Sequence, residues 1–500
     1  MLPNNKMNKI NNSLVRYITA NPYFKKPLRD HPQGSLLFIN TCFNTLLNSS
    51  HHHHSYRSFF SKKTSSDSDR VYIVPNKGTQ VMSWGQNNEG QLALNTFGID
   101  KLSSPSFIDS YWFHEKTVKK ISCAASAQHA LALTEDGFVY AWGRGAEGQL
   151  AQDNNHSYAA PVLIDPKYFN SRPIVDIQCG GYHCAAVDDE GRLYTWGFSG
   201  SPFNRSALGH SGFNIFGFGS SPLPKQVEAL KGEFVKQVAC GDYHTGVICG
   251  PKDSTETSQV YVWGKGEWGR LGLGNSDSKA LPTPLDMYED DMENGGTKKT
   301  IFTKIRMGKN YSALIDSNGK LYMFGRHDAQ QLGMESLRPS QFDCESTPKL
   351  IPRFVESDIK VRDVALGDSI TACVTQDGRG FIWGKNVYLP HEVNFGKGAR
   401  VIECSAGRNH VAFLPTNRRS IFTMGGNWYS QLGTTGQHGT QDVIKLTPQL
   451  VPGKKLQVAC GNAFTLALID LERKTTTTQE DDDDYMGVAM IGPDGKSIPL

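Results

Sequence analysis

Apolar residues in this chain come in short runs separated by polar, glycine-marked turns. Residues 121–150, ISCAASAQHALALTEDGFVYAWGRGAEGQL, show the pattern most clearly. A small apolar strand leads to a second apolar run, a polar turn, an alternating strand ending in Trp-Gly, and a glycine-punctuated loop. The turn at Asp136-Gly137 is a strong hairpin signal, because glycine tolerates positive φ. One such unit has an apolar face and nothing to bury it against, so it requires copies of itself.

The copies are present. Trp-Gly or a relative recurs at Trp84-Gly85, Trp142-Gly143, Trp196-Gly197, Trp263-Gly264, Phe324-Gly325, Trp383-Gly384 and Met424-Gly425, with glycines 58, 54, 67, 61, 59 and 41 residues apart. A Gly-x-x-His signal or its relative accompanies them, placing His129, His183, His244 and His410 in one slot, with Tyr311, Ile370 and Phe464 as substitutes. Short apolar strands such as HALAL and HCAAV start at that slot, and Gly-Gln-Leu echoes follow most Trp-Gly sites. Self-similarity of this kind predicts a repeat architecture.

The two ends complete one another. The last apolar pair, over 458–469, lacks a second half, and the first Trp-Gly at Trp84 lacks the upstream strand pair. Six internal joins plus one split unit predict an all-β, seven-bladed β-propeller over residues 71–470, closed by pairing the N- and C-terminal half-repeats. Closure leaves few free sheet edges.

The combined Gly-x-x-His, Asp-Gly and Trp-Gly pattern over residues 78–470 resembles the regulator of chromosome condensation repeat family, whose founding member is a seven-bladed propeller. A WD40 array is excluded by the dipeptide and by the longer period. The resemblance implies guanine-nucleotide exchange on a small GTPase; other relatives are scaffolds, appendages of ubiquitin ligases or kinases, or an ultraviolet photoreceptor. Five of the eight tryptophans (Trp84, Trp142, Trp196, Trp263 and Trp383) occupy repeat positions, and only Trp112, Trp268 and Trp428 fall outside them, so the photoreceptor likeness is shallow.

Charge divides the chain. Residues 1–66 hold nine Lys or Arg against one acid, a net of +8, while the whole chain carries +3. Residues 471–500 carry −4, which leaves the repeat region near −1 and gives no general basic field, so no DNA binding is expected. The basic, Ser- and Asn-rich leader 1–66 reads as a disordered segment and a candidate mitochondrial transit peptide. The alternative is a retained Asn-rich extension on a cytosolic or nuclear protein. Its longest apolar run, LLFI at 36–39, is too short to cross a bilayer, and no other stretch approaches ~18 apolar residues. Residues 471–500 read as an acidic disordered tail.

Chemistry-bearing residues are mostly absorbed by the repeat. No Cys-x-x-Cys pair exists among the ten cysteines, and Cys179, Cys240 and Cys460, with Cys123 and Cys404 two residues earlier relative to the slot, read as buried thiols on one strand face. The slot histidines are expected to bond a backbone carbonyl in their own blade, and the tryptophans to anchor blades by size, since Phe324 and Met424 replace them. No metal site and no cofactor are expected. Phosphate-loop, nucleophile-elbow and zinc-helix signatures are absent, so no covalent catalysis is expected.

Departures from the repeat are the places to look for function. The stretch 198–224 lengthens one unit to 67 residues and supplies Phe203, Asn204, Arg205, Phe213, Phe216 and Phe218 as a candidate partner-binding loop. The resemblance makes it a candidate counterpart of the wedge with which the founding member displaces nucleotide. Residues 286–299, DMYEDDMENGGTKK, read as a solvated loop, and the unit of Trp383 has lost its Gly-Gln-Leu loop. The expected role is a mitochondrial protein-interaction propeller, a candidate exchange factor for a small or organelle GTPase. A scaffold contacting mitochondrial ribosome assembly proteins or ribosomal RNA, or serving membrane dynamics, is the alternative, and a cytosolic or nuclear Ran-type exchange factor is another.

Overall fold

The computed structural model describes residues 78–471, except 199–206, 211–219, 255–257, 291–295, 336–342, 386 and 437–441, together with 490–491 and 497–498. The leader, most of the tail, and the loop residues Phe203, Asn204, Arg205, Phe213, Phe216 and Phe218 lie outside the described residues.

The hairpin predicted at Asp136-Gly137 is the middle of a four-stranded antiparallel blade, Val118–Ser122, His129–Thr134, Val139–Gly143 and Tyr158–Leu163. Five more blades of the same order follow, over residues 174–226, 235–285, 302–350, 361–392 and 401–446. The seventh is shared between the two ends of the repeat region. Lys454–Cys460 and Phe464–Leu471 form its inner strands, and Gly78–Gln86 and Lys101–Phe107 its outer ones. Gly78 pairs with Leu471 and Gly85 with Phe464, so the half-repeats close the propeller as the sequence implies.

The glycine of Trp-Gly has a steric cause. In all seven blades it adopts φ between +91° and +112°, and a Cβ there would strike the backbone beside the slot residue on the neighbouring strand. The turn carried by Asp136-Gly137 is likewise at positive φ, with Gly137 N–H donating to the Thr134 carbonyl at 3.0 Å.

Inner strands of neighbouring blades surround a central channel of about 570 Å³. Each carries a register irregularity near its start, at the step from Val118 to Lys120 and its equivalents. Side chains just beyond it span the gap between strands that share no ladder. Gln457 accepts from Ile121 N–H at 2.9 Å and donates to the Ile121 carbonyl at 3.0 Å, and Gln237 accepts from Ile305 N–H at 2.9 Å. Lys120 pairs with Asp176, and Arg306 with Asp363 at 2.8 Å. At the preceding position six blades bury Val, Ile or Phe, whereas the closing blade buries Lys455. Its ammonium donates to the Arg419 and Gly453 carbonyls at 3.0 and 2.8 Å, and burial pulls its pKa down to about 8.

The slot histidines correct the expectation drawn from the sequence: each reaches into the next blade instead of its own. The Nε2 atoms of His183, His244 and His410 lie 2.8–2.9 Å from the hydroxyls of Thr245, Ser312 and Thr465. Those hydroxyls then donate back to loop carbonyls of the preceding blade, Thr245 to Ala207 at 2.7 Å, Ser312 to Arg270 at 2.7 Å and Thr465 to Gln431 at 2.9 Å. Burial pulls the pKa of His183 down to about 3 and that of His410 to about 4, so both rings are neutral at physiological pH. Tyr311 replaces histidine at one join, where its hydroxyl receives Thr371 at 3.1 Å.

The tryptophans meet the same carbonyls. Trp263 donates to Ala207 O at 2.7 Å, Trp383 to Gln331 O at 2.9 Å, Trp84 to Gln431 O at 3.0 Å, Trp196 to Gln149 O at 2.9 Å and Trp142 to Gln91 O at 3.0 Å. All five side chains are fully buried. Size alone therefore does not explain the position, because the indole N–H satisfies a buried carbonyl that phenylalanine cannot.

Where the loop is missing, the clasp is missing too. Only two residues, 385 and 386, separate Gly380–Gly384 from the outer strand Val387–Glu392, so among the described residues this blade offers no loop carbonyl to its neighbour. The receiving positions on the next blade are Val411 and Met424, and the slot residue facing them is Ile370; all three belong to one apolar cluster. Three substitutions that look unrelated in sequence are one structural event. At the closing blade, Phe464 packs against Ala130 in the same apolar manner.

Two further readings change. Within 286–299, Tyr288–Asp290 pairs antiparallel with Thr297–Lys299, tied by Lys299–Asp286 at 2.7 Å and Lys298–Glu289 at 3.8 Å. Cys123 stands level with Cys179 on the inner strand instead of two residues earlier, because the turn following it is two residues longer. In the tail, Met490–Ile491 pairs with Ser497–Ile498.

The clasp yields a quantitative expectation. Thr245→Val keeps shape but leaves the buried His183 ring short of its partner, and we expect a loss of about 1–3 kcal/mol in chemical denaturation. Val411→Thr offers no matching gain, since no loop carbonyl is there to receive the hydroxyl. A neutral Thr245→Val would show the clasp to be incidental.

Candidate protein-interaction face

In every blade the turn joining the first two strands and the loop joining the last two emerge at the same end, so together they build one face. The Gly-Gln-Leu echo holds these loops in shape. The side-chain oxygens of Gln91, Gln149, Gln331 and Gln431 accept the N–H two residues earlier, from Glu89, Glu147, Ala329 and Tyr429, at 2.7–3.0 Å. The third blade substitutes Arg270 for the glutamine. Its guanidinium is buried and donates to the Glu267 carbonyl at 2.8 Å, and burial pulls its pKa down to about 10.

Above the join of the second and third blades lies an aromatic platform. The residue before the slot histidine is Tyr182 in one blade and Tyr243 in the next, and the rings stack 5.0 Å apart at 17°. Phe198 packs edge-on against Tyr243 at 6.0 Å, and Lys265 Nζ stands 4.7 Å from the Tyr243 ring centre. Phe198 is also the last described residue before the lengthened loop, so the platform sits at the root of that loop. The outer strand Ser220–Gln226 begins earlier than expected and Ala207 supplies the repeat's loop-corner carbonyl, so the added length lies on either side of that corner, within 199–219.

Charged groups flank the platform. Asp242, beside Tyr243, is buried; burial raises its carboxyl to a pKa of about 6 against the opposing hydrogen bond from Ser126 and charge of Lys309. Lys309 and Arg408 converge on Asp368 at 2.9 and 3.5 Å. Trp268, held at φ +66°, carries the Arg326 guanidinium 4.9 Å from its ring centre. Further around this face, Trp428 is 66% exposed and Tyr429 43%, and Tyr388, at the trimmed loop, is 67% exposed.

Of the residues singled out from sequence, His129, His183, His244, His410, Trp84, Trp142, Trp196, Trp263 and Trp383 are buried in the blade joins and present no surface for a partner. Sequence reasoning missed Tyr182, Tyr243, Asp242, Lys265, Arg270 and Arg326. One signal for the pair was available: Gly-Gly-Tyr-His and Gly-Asp-Tyr-His place tyrosine at the same repeat position in successive blades, which forces the rings together.

The chain matches the RCC1-like domain over residues 70–389 and the regulator of chromosome condensation (RCC1) repeat over residues 420–468. It belongs to the RCC1-like domain family. Among curated relatives of this RCC1-like chain is the human E3 ubiquitin-protein ligase HERC2, 30% identical over 355 residues; the match covers 68% of this chain but only 6% of the ligase. The Arabidopsis thaliana ultraviolet-B receptor UVR8 is 27% identical over 409 residues, covering 79% of this chain and 82% of the receptor. The Arabidopsis thaliana mitochondrial RCC1 domain-containing protein RUG3 is 29% identical over 303 residues, covering 59% and 60%. Prp20p from Saccharomyces cerevisiae superposes with a TM-score of 0.64 at 19% identity, over 79% of this chain and 92% of that one. Human WBSCR16 superposes with a TM-score of 0.64 at 19% identity, over 78% and 99%.

Asp242 generates a pH test. Its folded pKa lies above the ordinary carboxylate value of 3.8, so its contribution to stability is complete below pH ~4 and is lost as pH rises through about 6. Asp242→Asn is expected to match the parent protein at pH 4 and to exceed it by up to about 2–3 kcal/mol at pH 7.5. Parallel stability curves of the two proteins from pH 4 to 8 would contradict this.

Proposed function

We propose that this RCC1-like propeller is a protein-binding module that acts without covalent chemistry and serves as an exchange factor for a small GTPase in mitochondria. The observation that carries the reading is the Tyr182–Tyr243–Phe198 platform, with Lys265 against it, at the root of the 199–219 insertion. Rigid aromatics beside a lengthened loop bring large contact area at small ordering cost, the composition expected of an interaction hot spot. Partner binding is supported further by Prp20p, which shares the fold and was characterised for binding to Gsp1p and histones. The mitochondrial setting is supported by the basic, acid-poor leader and by a relative described as mitochondrial.

Exchange on such a face is differential affinity. A surface that binds the nucleotide-free GTPase more tightly than the GDP-bound form weakens GDP binding by the same factor, by linkage. No bond is made or broken by the propeller.

A second reading, a scaffold in mitochondrial ribosome or membrane-dynamics assemblies, is favoured by the separate exposed group of Tyr388, Trp428 and Tyr429 on the same face. Capture from mitochondrial lysate with magnesium and with excess EDTA separates the two. A GTPase retained preferentially in EDTA supports exchange, whereas a magnesium-indifferent catch of assembly proteins supports the scaffold. With the captured GTPase, Tyr182→Ala/Tyr243→Ala and a deletion of residues 211–218, which spares the Ala207 carbonyl of the clasp, are each expected to slow stimulated GDP release at least tenfold without loss of cooperative unfolding. Unchanged GDP release in both variants removes the exchange reading.

A further inference from the structure

We propose that His129, Cys179 and Cys184 form a binding site for a cuprous ion at the join of the first and second blades. The site arises where the clasp departs from its own rule. At the joins served by His183, His244 and His410, the slot imidazole meets a hydroxyl. His129 Nε2 instead lies 3.1 Å from Cys184 Sγ. A thiol is a weak substitute for a hydroxyl in this network, and Cys184 Sγ is 3.5 Å from the Gln149 carbonyl, whereas its counterparts contact theirs at 2.7–2.9 Å.

What the exchange to sulfur creates is a ligand set. Cys179 stands directly opposite Cys184 across the first two strands of the second blade. The two sulfurs and the His129 nitrogen all lie within 4.8 Å of one another. With bonds of about 2.3 Å to sulfur and 2.0 Å to nitrogen, a trigonal ion needs its donors roughly 3.7–4.0 Å apart. The His129–Cys184 contact of 3.1 Å is shorter than that range and no separation exceeds 4.8 Å, so small side-chain rotations complete the site.

The neighbouring joins lack the third donor. Cys240 accompanies Thr245 behind His183, and Cys460 accompanies Thr465 behind His410, giving one thiol each. Two thiolates and one imidazole, fully buried, suit a soft ion content with three ligands. Zinc prefers a fourth ligand, and the oxygens beside the sulfurs are the Ser122 hydroxyl and the Ser122 and Gln149 carbonyls, none a usual zinc donor. Cys179 and Ser122 line the central channel, which supplies an entry path. Binding balances as one cuprous ion taken up and two thiol protons released to solvent.

The test uses the full chain, reduced and anaerobic, titrated with cuprous ion against a chromophoric chelator. One equivalent bound, release of two protons, and an X-ray absorption shell of two sulfurs and one nitrogen are expected. Cys184→Thr installs the residue found at this position in the third, fifth and closing blades, so the fold is preserved while a ligand is lost. Its copper affinity should fall by more than the roughly 10–100-fold that an outer-sphere partner contributes. Cys179→Ala, which copies Ala406 at the equivalent position, should do the same, and Cys240→Ser should change nothing. No copper uptake, unaltered affinity in Cys184→Thr, tighter retention of zinc than of copper, or a disulfide between Cys179 and Cys184 seen as a mass lowered by two hydrogens would each overturn the proposal.

Discussion

The carbonyl at the Gly-Gln-Leu corner of each loop is the group on which the propeller's regularity depends. It is buried, it belongs to one blade, and it must be satisfied by the next. Where the full clasp forms, a tryptophan N–H and a threonine hydroxyl converge on it, and the slot imidazole holds the hydroxyl from the other side. Each such hydrogen bond contributes on the order of 1 kcal/mol, but an unmade one costs more. The clasp therefore acts less as glue than as a register pin, because a blade displaced by one residue strands several polar groups at once. The fourth and first blades show graded versions: Ser312 alone meets the Arg270 carbonyl beneath Phe324, and Trp142 alone meets that of Gln91 above Ala130.

Much of this architecture was legible because its causes are local. The Trp-Gly glycine needs positive φ, Asp136-Gly137 needs a tight turn, and alternating burial follows from strand geometry, so each leaves a residue-level trace. Partner identity across a join leaves none. Nothing in the string states whether His183 bonds its own blade or the next, and the own-blade expectation failed for that reason. Ile370, Val411 and Met424 occupy three different repeat positions. Only the missing loop between Gly384 and Val387 makes them one consequence, and seeing that requires knowing which blade faces which.

The candidate face was half legible. The insertion announced itself by length, but the platform beneath it depends on two tyrosines 61 residues apart. They meet because equal repeat positions in successive blades become neighbours. Repeat arithmetic thus converts sequence spacing into contact, and it applies to Cys184 as it does to Tyr243.

The closing blade sets the order in which the molecule can be completed. Gly78–Gln86 leaves the ribosome early, yet its partner Phe464–Leu471 lies nearly four hundred residues downstream. Until that partner arrives, the amino-terminal strands present an unpaired ladder, and the six intermediate blades form an open arc with two raw ends. Loop-closure entropy rises only logarithmically with separation, so the final pairing is thermodynamically modest. Its burden is temporal: throughout synthesis the nascent arc carries an exposed strand edge, the kind of surface that invites pairing with a second chain and that chaperones shield.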